Sequence, residues 1–100
     1  ALLFLRSGTA GIFDPSSGRS FPYTTASSIY TPRRPGLPVA ILQGRSTASA
    51  GEMLILAFKG NPIPSRTFGD STYGVTNVPV GRYLSDSAYL NITYAIMFDR

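Results

Sequence analysis

Apolar and polar positions fall into short blocks along this chain, each bounded by Gly, Pro, Ser or Asp. Ala10-Gly11-Ile12-Phe13, then Asp14-Pro15-Ser16-Ser17-Gly18, then Arg19-Ser20-Phe21-Pro22-Tyr23 predict a β-hairpin. Asp-Pro opens the turn and Gly18 supplies a positive φ. Val39-Ala40-Ile41-Leu42 is a continuous apolar run, the pattern of a central strand covered on both faces. Residues 50–59 are apolar nearly all round, through Met53, Leu54, Ile55, Leu56, Ala57 and Phe58, and predict a buried helix. Gly60 stops it at C′, and Pro62 and Pro64 prevent its continuation. Arg66-Thr67-Phe68 reads as a short strand ended by Gly69. Residues 70–80, with Gly74 and Pro79, read as an irregular, site-forming loop. Residues 80–84, a turn at Ser85-Asp86-Ser87 and residues 88–98 predict a second hairpin. Its second strand alternates Leu90, Ile92, Tyr94 and Ile96 against Tyr89, Asn91, Thr93 and Ala95.

Two stretches carry weaker signals. The opening Ala1-Leu2-Leu3-Phe4-Leu5-Arg6-Ser7-Gly8 reads as the last turns of a helix stopped by Gly8, or as a buried strand; either way it looks cut from something longer. Residues 24–38, rich in Thr, Ser and Pro, read as a surface connection. The whole predicts an α/β domain with a mixed sheet, one buried helix and flanking β-hairpins. One helix cannot cover two sheet faces, so the missing layer is expected from absent segments or another chain.

Composition narrows the chemistry. One hundred residues with 43% hydrophobic content make one small folded domain or part of a larger one. No apolar run approaches the roughly 18 to 20 residues of a membrane span, so no direct membrane insertion is expected, and no signal-peptide pattern opens the chain. Cysteine and histidine are both absent, so the chain itself holds no Cys nucleophile and no Ser-His pair. The carboxylates Asp14, Glu52, Asp70, Asp86 and Asp99 are scattered, and no metal or other cofactor is expected. The net charge of +4 is spread out except at Arg33-Arg34, which reads as a solvated surface and not as a nucleic-acid site.

The candidate chemistry centres on Thr47-Ala48-Ser49-Ala50-Gly51-Glu52. Strand, tight turn, serine and buried helix in that order place the Ser49 hydroxyl at a helix N-terminus. Free N–H groups and the helix dipole favour negative charge there. A nucleophile in that place has an oxyanion site beside it. Ser49-Ala50-Gly51-Glu52 also fits a capping box, with Glu52 as the structural cap. The two readings are compatible. The small residues Thr47, Ala48, Ala50 and Gly51 let a substrate backbone approach. Gly51 matches the second half of a G-x-S-x-G elbow, although Thr47 replaces the first glycine.

Pro38-Val39-Ala40-Ile41-Leu42, Ser46-Thr47-Ala48-Ser49-Ala50-Gly51-Glu52-Met53, Ala57-Phe58-Lys59-Gly60, Arg66-Thr67-Phe68-Gly69, Leu84-Ser85-Asp86 and Phe98-Asp99-Arg100 occur in that order. Together they resemble the C-terminal-processing (tail-specific) serine peptidase family, in its nisin-resistance-protein-like and tricorn-core-like branch. The resemblance implies a ClpP/crotonase-like core. Residues 1–100 would then form the C-terminal part of a catalytic core. It also implies that Ser49 is the nucleophile, that the Ala50 N–H is an oxyanion donor, and that an acyl-enzyme forms on a bound peptide or unfolded protein tail. Thr47, Asp70, Ser71 and Thr72 are candidates to line the substrate site. The family further implies an extracytoplasmic place in a bacterium: periplasmic, secreted or membrane-anchored through absent segments. An oligomer is compatible with all of this.

The match departs from the processing-protease branch at one position. There a lysine follows Thr-Phe-Gly, whereas here Asp70 does, and a carboxylate cannot replace a neutral amine as the serine's base. Lys59 is about 15 Å along the helix from Ser49, at ~1.5 Å rise per residue. The base is therefore expected from a segment of the same protein outside this chain, and the isolated chain is expected to be inactive. The alternative is a non-catalytic peptide-binding domain that keeps the fold. A crotonase-type acyl-group enzyme is the third reading, and the Ser49 block argues against it.

Overall fold

The computed structural model describes residues 5, 7–15, 18–26, 33–34, 36–59 and 61–99. The elements are β1 (Gly8–Pro15), β2 (Phe21–Thr25), β3 (Val39–Gln43), α1 (Ala50–Phe58), β4 (Ser65–Gly69), β5 (Asn77–Tyr83) and β6 (Tyr89–Phe98). The two hairpins form as the sequence predicts. β1 pairs antiparallel with β2, and β5 pairs antiparallel with β6. The first turn is closed by the Gly18 N–H donating to the Pro15 carbonyl at 3.0 Å, with Gly18 at φ 79°.

The strands do not form one mixed sheet. β1 also pairs with β6, giving an antiparallel sheet in the order β2-β1-β6-β5, while β3 and β4 form a separate parallel pair. A parallel pair requires a crossover, and α1 supplies it. β3 is therefore not a central strand among the described residues. Its outer face is open, with Leu42 82% exposed and its register partner Phe68 46% exposed. The apolar run requires cover that the described residues do not bring.

The same shortage changes the expected buried helix. α1 buries Glu52, Ala57 and Phe58 but leaves Leu54 exposed. Its buried side meets β1, where Ala57 and Phe58 cluster with Leu5 and Ala10, and Tyr23, Val39 and Ile41 pack at the edge. The Tyr23 hydroxyl donates to the Met53 carbonyl at 3.3 Å, which links the first hairpin to the helix. Gly8, expected to stop a helix, instead opens β1. The helix-end reading of residues 1–4 and 6 and the C′ role of Gly60 lie outside the described residues.

β5 begins at Asn77, so the irregular segment is shorter than predicted and ends at Thr76. β5 is an edge strand. Pro79, which has no N–H to give a ladder, sits where the β5–β6 register shifts, between Val78 and Pro79. On β6 the buried side chains are Ala95 and Met97, and Ile92, Tyr94 and Ile96 are exposed.

Candidate active site

The site is built where β3 hands the chain to α1. A turn closes first: the Thr47 N–H donates to the Gly44 carbonyl at 2.8 Å, and the Gly44 N–H returns to Thr47 Oγ1 at 3.1 Å. Ser49 follows as the N-cap residue of α1 with φ 52° and ψ −115°, while Ala50 is already helical. Few non-glycine residues adopt a positive φ, and a residue held there stores on the order of 1–3 kcal/mol. The result is a sharp strand-to-helix turn with an exposed serine at its apex. Gly51, two residues on, has room for no more than a tight Cβ against Thr47 Cγ2 at 3.1 Å. The small residues of the block therefore set how tightly the turn closes.

Glu52 holds this turn in place. Its side chain is buried, at 4% exposure, and both carboxylate oxygens are used. Oε2 accepts the Ser49 N–H at 2.9 Å and the Val75 N–H at 2.9 Å, and Oε1 accepts the Gly74 N–H at 2.8 Å. The Thr72 hydroxyl is a fourth donor. Thr72 contributes most to holding the carboxyl below the ordinary glutamate range. Burial opposes it, and the Gly74, Ser49 and Val75 N–H groups add to the lowering. The Ser49–Glu52 capping box is in place, but the Ser49 hydroxyl makes no cap hydrogen bond of normal geometry. Glu52 thus secures the Ser49 backbone.

The segment after β4 lies across the turn. The Tyr73 N–H donates to the Thr47 carbonyl at 2.8 Å, and the Ser49 N–H, shared with Glu52, also reaches the Val75 carbonyl at 3.1 Å. Asp70 anchors the near end of this segment. Arg45 Nε donates to Asp70 Oδ2 at 2.8 Å, the Ser71 N–H to Asp70 Oδ1 at 2.8 Å, and Gln43 Nε2 to the Asp70 carbonyl at 3.0 Å. Arg45 contributes most to lowering the Asp70 carboxyl, followed by the Ser71 N–H. Gly69 takes φ 111°, and a Cβ there would collide with the Gln43 carbonyl oxygen, so only glycine lets β4 turn into this segment.

The structure therefore brings Ser49, Ala50, Glu52 and Thr72 together. The side chains of Thr47, Thr72 and Asp70 go to the turn, to Glu52 and to Arg45, respectively, and Ser71 is exposed. Lys59 forms an ion pair with Asp99, Nζ to Oδ2 at 2.8 Å, well away from the helix start. Among the described residues no protein acceptor takes the Ala50 N–H, the first free donor of the helix. Ser49 and Ala50 face a cavity of about 140 Å³ whose other walls are Met53, residues of β5, and Met97 and Phe13. No local sequence signal marks Val78 or Met97 as neighbours of Ser49, because strand order places them there. Among the described residues no group of three or more His, Cys, Asp or Glu could hold a metal ion. No helix there is long and apolar enough to cross a membrane.

The sequence profile of peptidase family S41 matches residues 1–100, and the chain belongs to that family. A solved structure of a lipoprotein from Streptococcus agalactiae superposes with a TM-score of 0.76 at 29% identity, covering 98% of this chain and 36% of that one. The chain thus spans a little over a third of that protein's length. No curated protein matches the sequence.

Proposed function

We propose that this chain is part of the catalytic core of a serine peptidase of the C-terminal-processing family, with Ser49 as its nucleophile. The carrying observation is the Ser49 conformation, φ 52° and ψ −115°, at the exposed head of α1. A cost of that kind persists where surrounding structure over-determines it, and Glu52 and the Val75 carbonyl do so here.

The geometry supports acyl transfer through Ser49. An extended peptide lies along the site with its scissile carbonyl over Ser49. Ser49 Oγ attacks that carbon and its proton passes to a base. The carbonyl oxygen becomes an oxyanion and takes the free Ala50 N–H at the positive end of the helix. The C–N bond then breaks, the leaving amine takes the proton, and water releases the acyl group from Ser49. Histidine is absent and Lys59 is paired with Asp99, so the base and the second oxyanion donor come from a segment of the same protein outside this chain. Thr47, Ser71, Thr72 and Asp70 border the substrate path, and Thr72 also steadies Glu52. The family supports a ClpP/crotonase-like core of which these two small sheets and α1 are a part. The lipoprotein likeness supports an extracytoplasmic place in a bacterium.

The alternative is a peptide-binding domain that keeps the fold without a base; the absence of histidine favours it only if these residues are the whole protein. Incubation of the full-length protein with a peptide ester, followed by intact-mass measurement, separates the two. An acyl adduct on Ser49 supports the peptidase, and its absence from a folded protein that still binds the peptide supports the alternative. The isolated chain is expected to show almost no hydrolysis.

A further inference from the structure

Tyr23, on β2, is tied to the helix that carries Ser49. Its hydroxyl donates to the Met53 carbonyl at 3.3 Å, and the Met53 N–H in turn donates to the Ser49 carbonyl at 3.0 Å. One residue of the first helical turn thus joins the serine to the first hairpin. The half-buried Tyr23 ring is itself held in place. Its register partner is Gly11, where a Cβ would collide with the ring and with the Phe98 carbonyl oxygen. A glycine inside a strand marks such a close approach. Phe13 packs beside the ring, with centroids 4.8 Å apart, and Phe21 packs on Phe13 at 5.3 Å. The β1–β2 register also shifts between Thr9 and Gly11, leaving Ala10 without a partner. A bulge of this kind re-aims the side chains around it. Here Ala10 joins Ala57 and Phe58 of α1, and Tyr23 packs against that cluster.

We propose that Tyr23 is a positioning residue: it fixes the roll of α1 about its axis and so aims Ser49 Oγ and the Ala50 N–H at the attacked carbonyl. This role depends on Ser49 being the nucleophile. A helix resting on apolar side chains alone can roll and slide, because such contacts have no direction. A hydrogen bond to a helix carbonyl has one. Placed at Met53, it acts within one turn of the serine, where a small rotation moves Ser49 and Ala50 together. Glu52 belongs to the same helix, and its Gly74 and Val75 partners lie on the crossing segment. Tyr23 supplies a tie to the four-stranded sheet instead. Attack and oxyanion contacts are made in the transition state, and a displacement of about 1 Å can cost about 100-fold in rate. Loss of the tie is therefore expected in kcat and not in KM.

The test uses the full-length protein as wild type, as Tyr23→Phe and, for a control, as Tyr83→Phe, which removes an exposed hydroxyl at the far end of β5. The phenyl ring at position 23 keeps the contacts with Gly11 and Phe13, so the fold is retained. The fluorophosphonate labelling rate of Ser49, and kcat and KM for a peptide ester, are measured well below the unfolding temperature. Thermal unfolding is followed beside them. For Tyr23→Phe the expected result is a kcat and a labelling rate both lower by about fivefold or more, with KM within about twofold of wild type. Tyr83→Phe should match the wild type in every reading. Wild-type labelling with Tyr23→Phe indistinguishable from it overturns the positioning role and leaves the nucleophile standing. So does a rise in KM at unchanged kcat. A loss that appears only on warming, in step with the unfolded fraction, makes Tyr23 a packing residue and overturns the role as well. Absence of labelling in the wild type removes the nucleophile and the role of Tyr23 with it.

Discussion

Glu52 Oε2 accepts the Ser49 backbone N–H at 2.9 Å, and through this contact a buried carboxylate fixes the turn that presents the serine. The same carboxylate gathers Thr72, Gly74 and Val75, so helix start and crossing loop share one anchor. A cap whose only task was to end a helix would need one of these contacts. The other three bind a distant segment over the site.

Replacing Glu52 by Gln keeps its shape but turns an NH₂ group toward backbone N–H donors. Loss of about 1–3 kcal/mol in unfolding free energy is expected, the range for a buried donor left unmet. Ser49 probe labelling should slow at least tenfold while far-ultraviolet circular dichroism stays native-like. Chemical denaturation and labelling rates of the full-length protein check both.

The pH dependence follows from the lowered Glu52 carboxyl. In the unfolded chain the group titrates near the ordinary value of about 4.3. Between that value and the lower folded one the unfolded state binds more protons, so stability rises with pH there. The Glu52 contribution is complete above about pH 5 and is lost as pH falls through the lowered folded value. Denaturation midpoints from pH 7 to pH 3 should fall for the wild type, and the fall should be smaller for Glu52→Gln. Identical acid profiles would refute the assignment.

Gly69 and Gly74 both take positive φ, but their surroundings differ. A Cβ on Gly69 meets the Gln43 carbonyl oxygen, whereas one on Gly74 meets open space. Gly69→Ala is expected to cost about 3 kcal/mol and Gly74→Ala about 1 kcal/mol. Equal effects would show that the Gly69 clash is relieved by a local shift.

Asp70 follows Thr67-Phe68-Gly69, where the resemblance to the processing-protease branch implies a lysine, and its carboxylate bonds to Arg45 and the Ser71 N–H on the surface. Exposed pairs of this kind contribute little. Asp70→Asn should leave the unfolding midpoint unchanged within error and Ser49 labelling within about twofold. A loss of labelling comparable to Ser49→Ala would make Asp70 part of the catalytic machinery.

How much was legible in the sequence can be judged at particular residues. Asp14-Pro15 with Gly18, and Ser85-Asp86-Ser87, announce the hairpins because turn chemistry is local. Ser49 and Glu52 were legible as a pair because a capping box is a four-residue pattern. The parallel pairing of Val39–Gln43 with Ser65–Gly69, and its isolation from the other four strands, were not legible. Strand partners depend on contacts between distant residues. The run at 39–42 reads as doubly covered, yet Leu42 is open because its cover is absent from the described residues. Met97 and Val78 came to the site by strand order alone, and Arg45 met Asp70 only when β3 and β4 were placed side by side.

The central claim is that Ser49 is an activated nucleophile. Fluorophosphonate labelling of the full-length protein beside its Ser49→Ala variant tests it most directly. The account predicts a single adduct on Ser49 that disappears in the variant. A well-folded protein that takes no label, or labels equally with alanine at position 49, would contradict it and make the serine a helix cap.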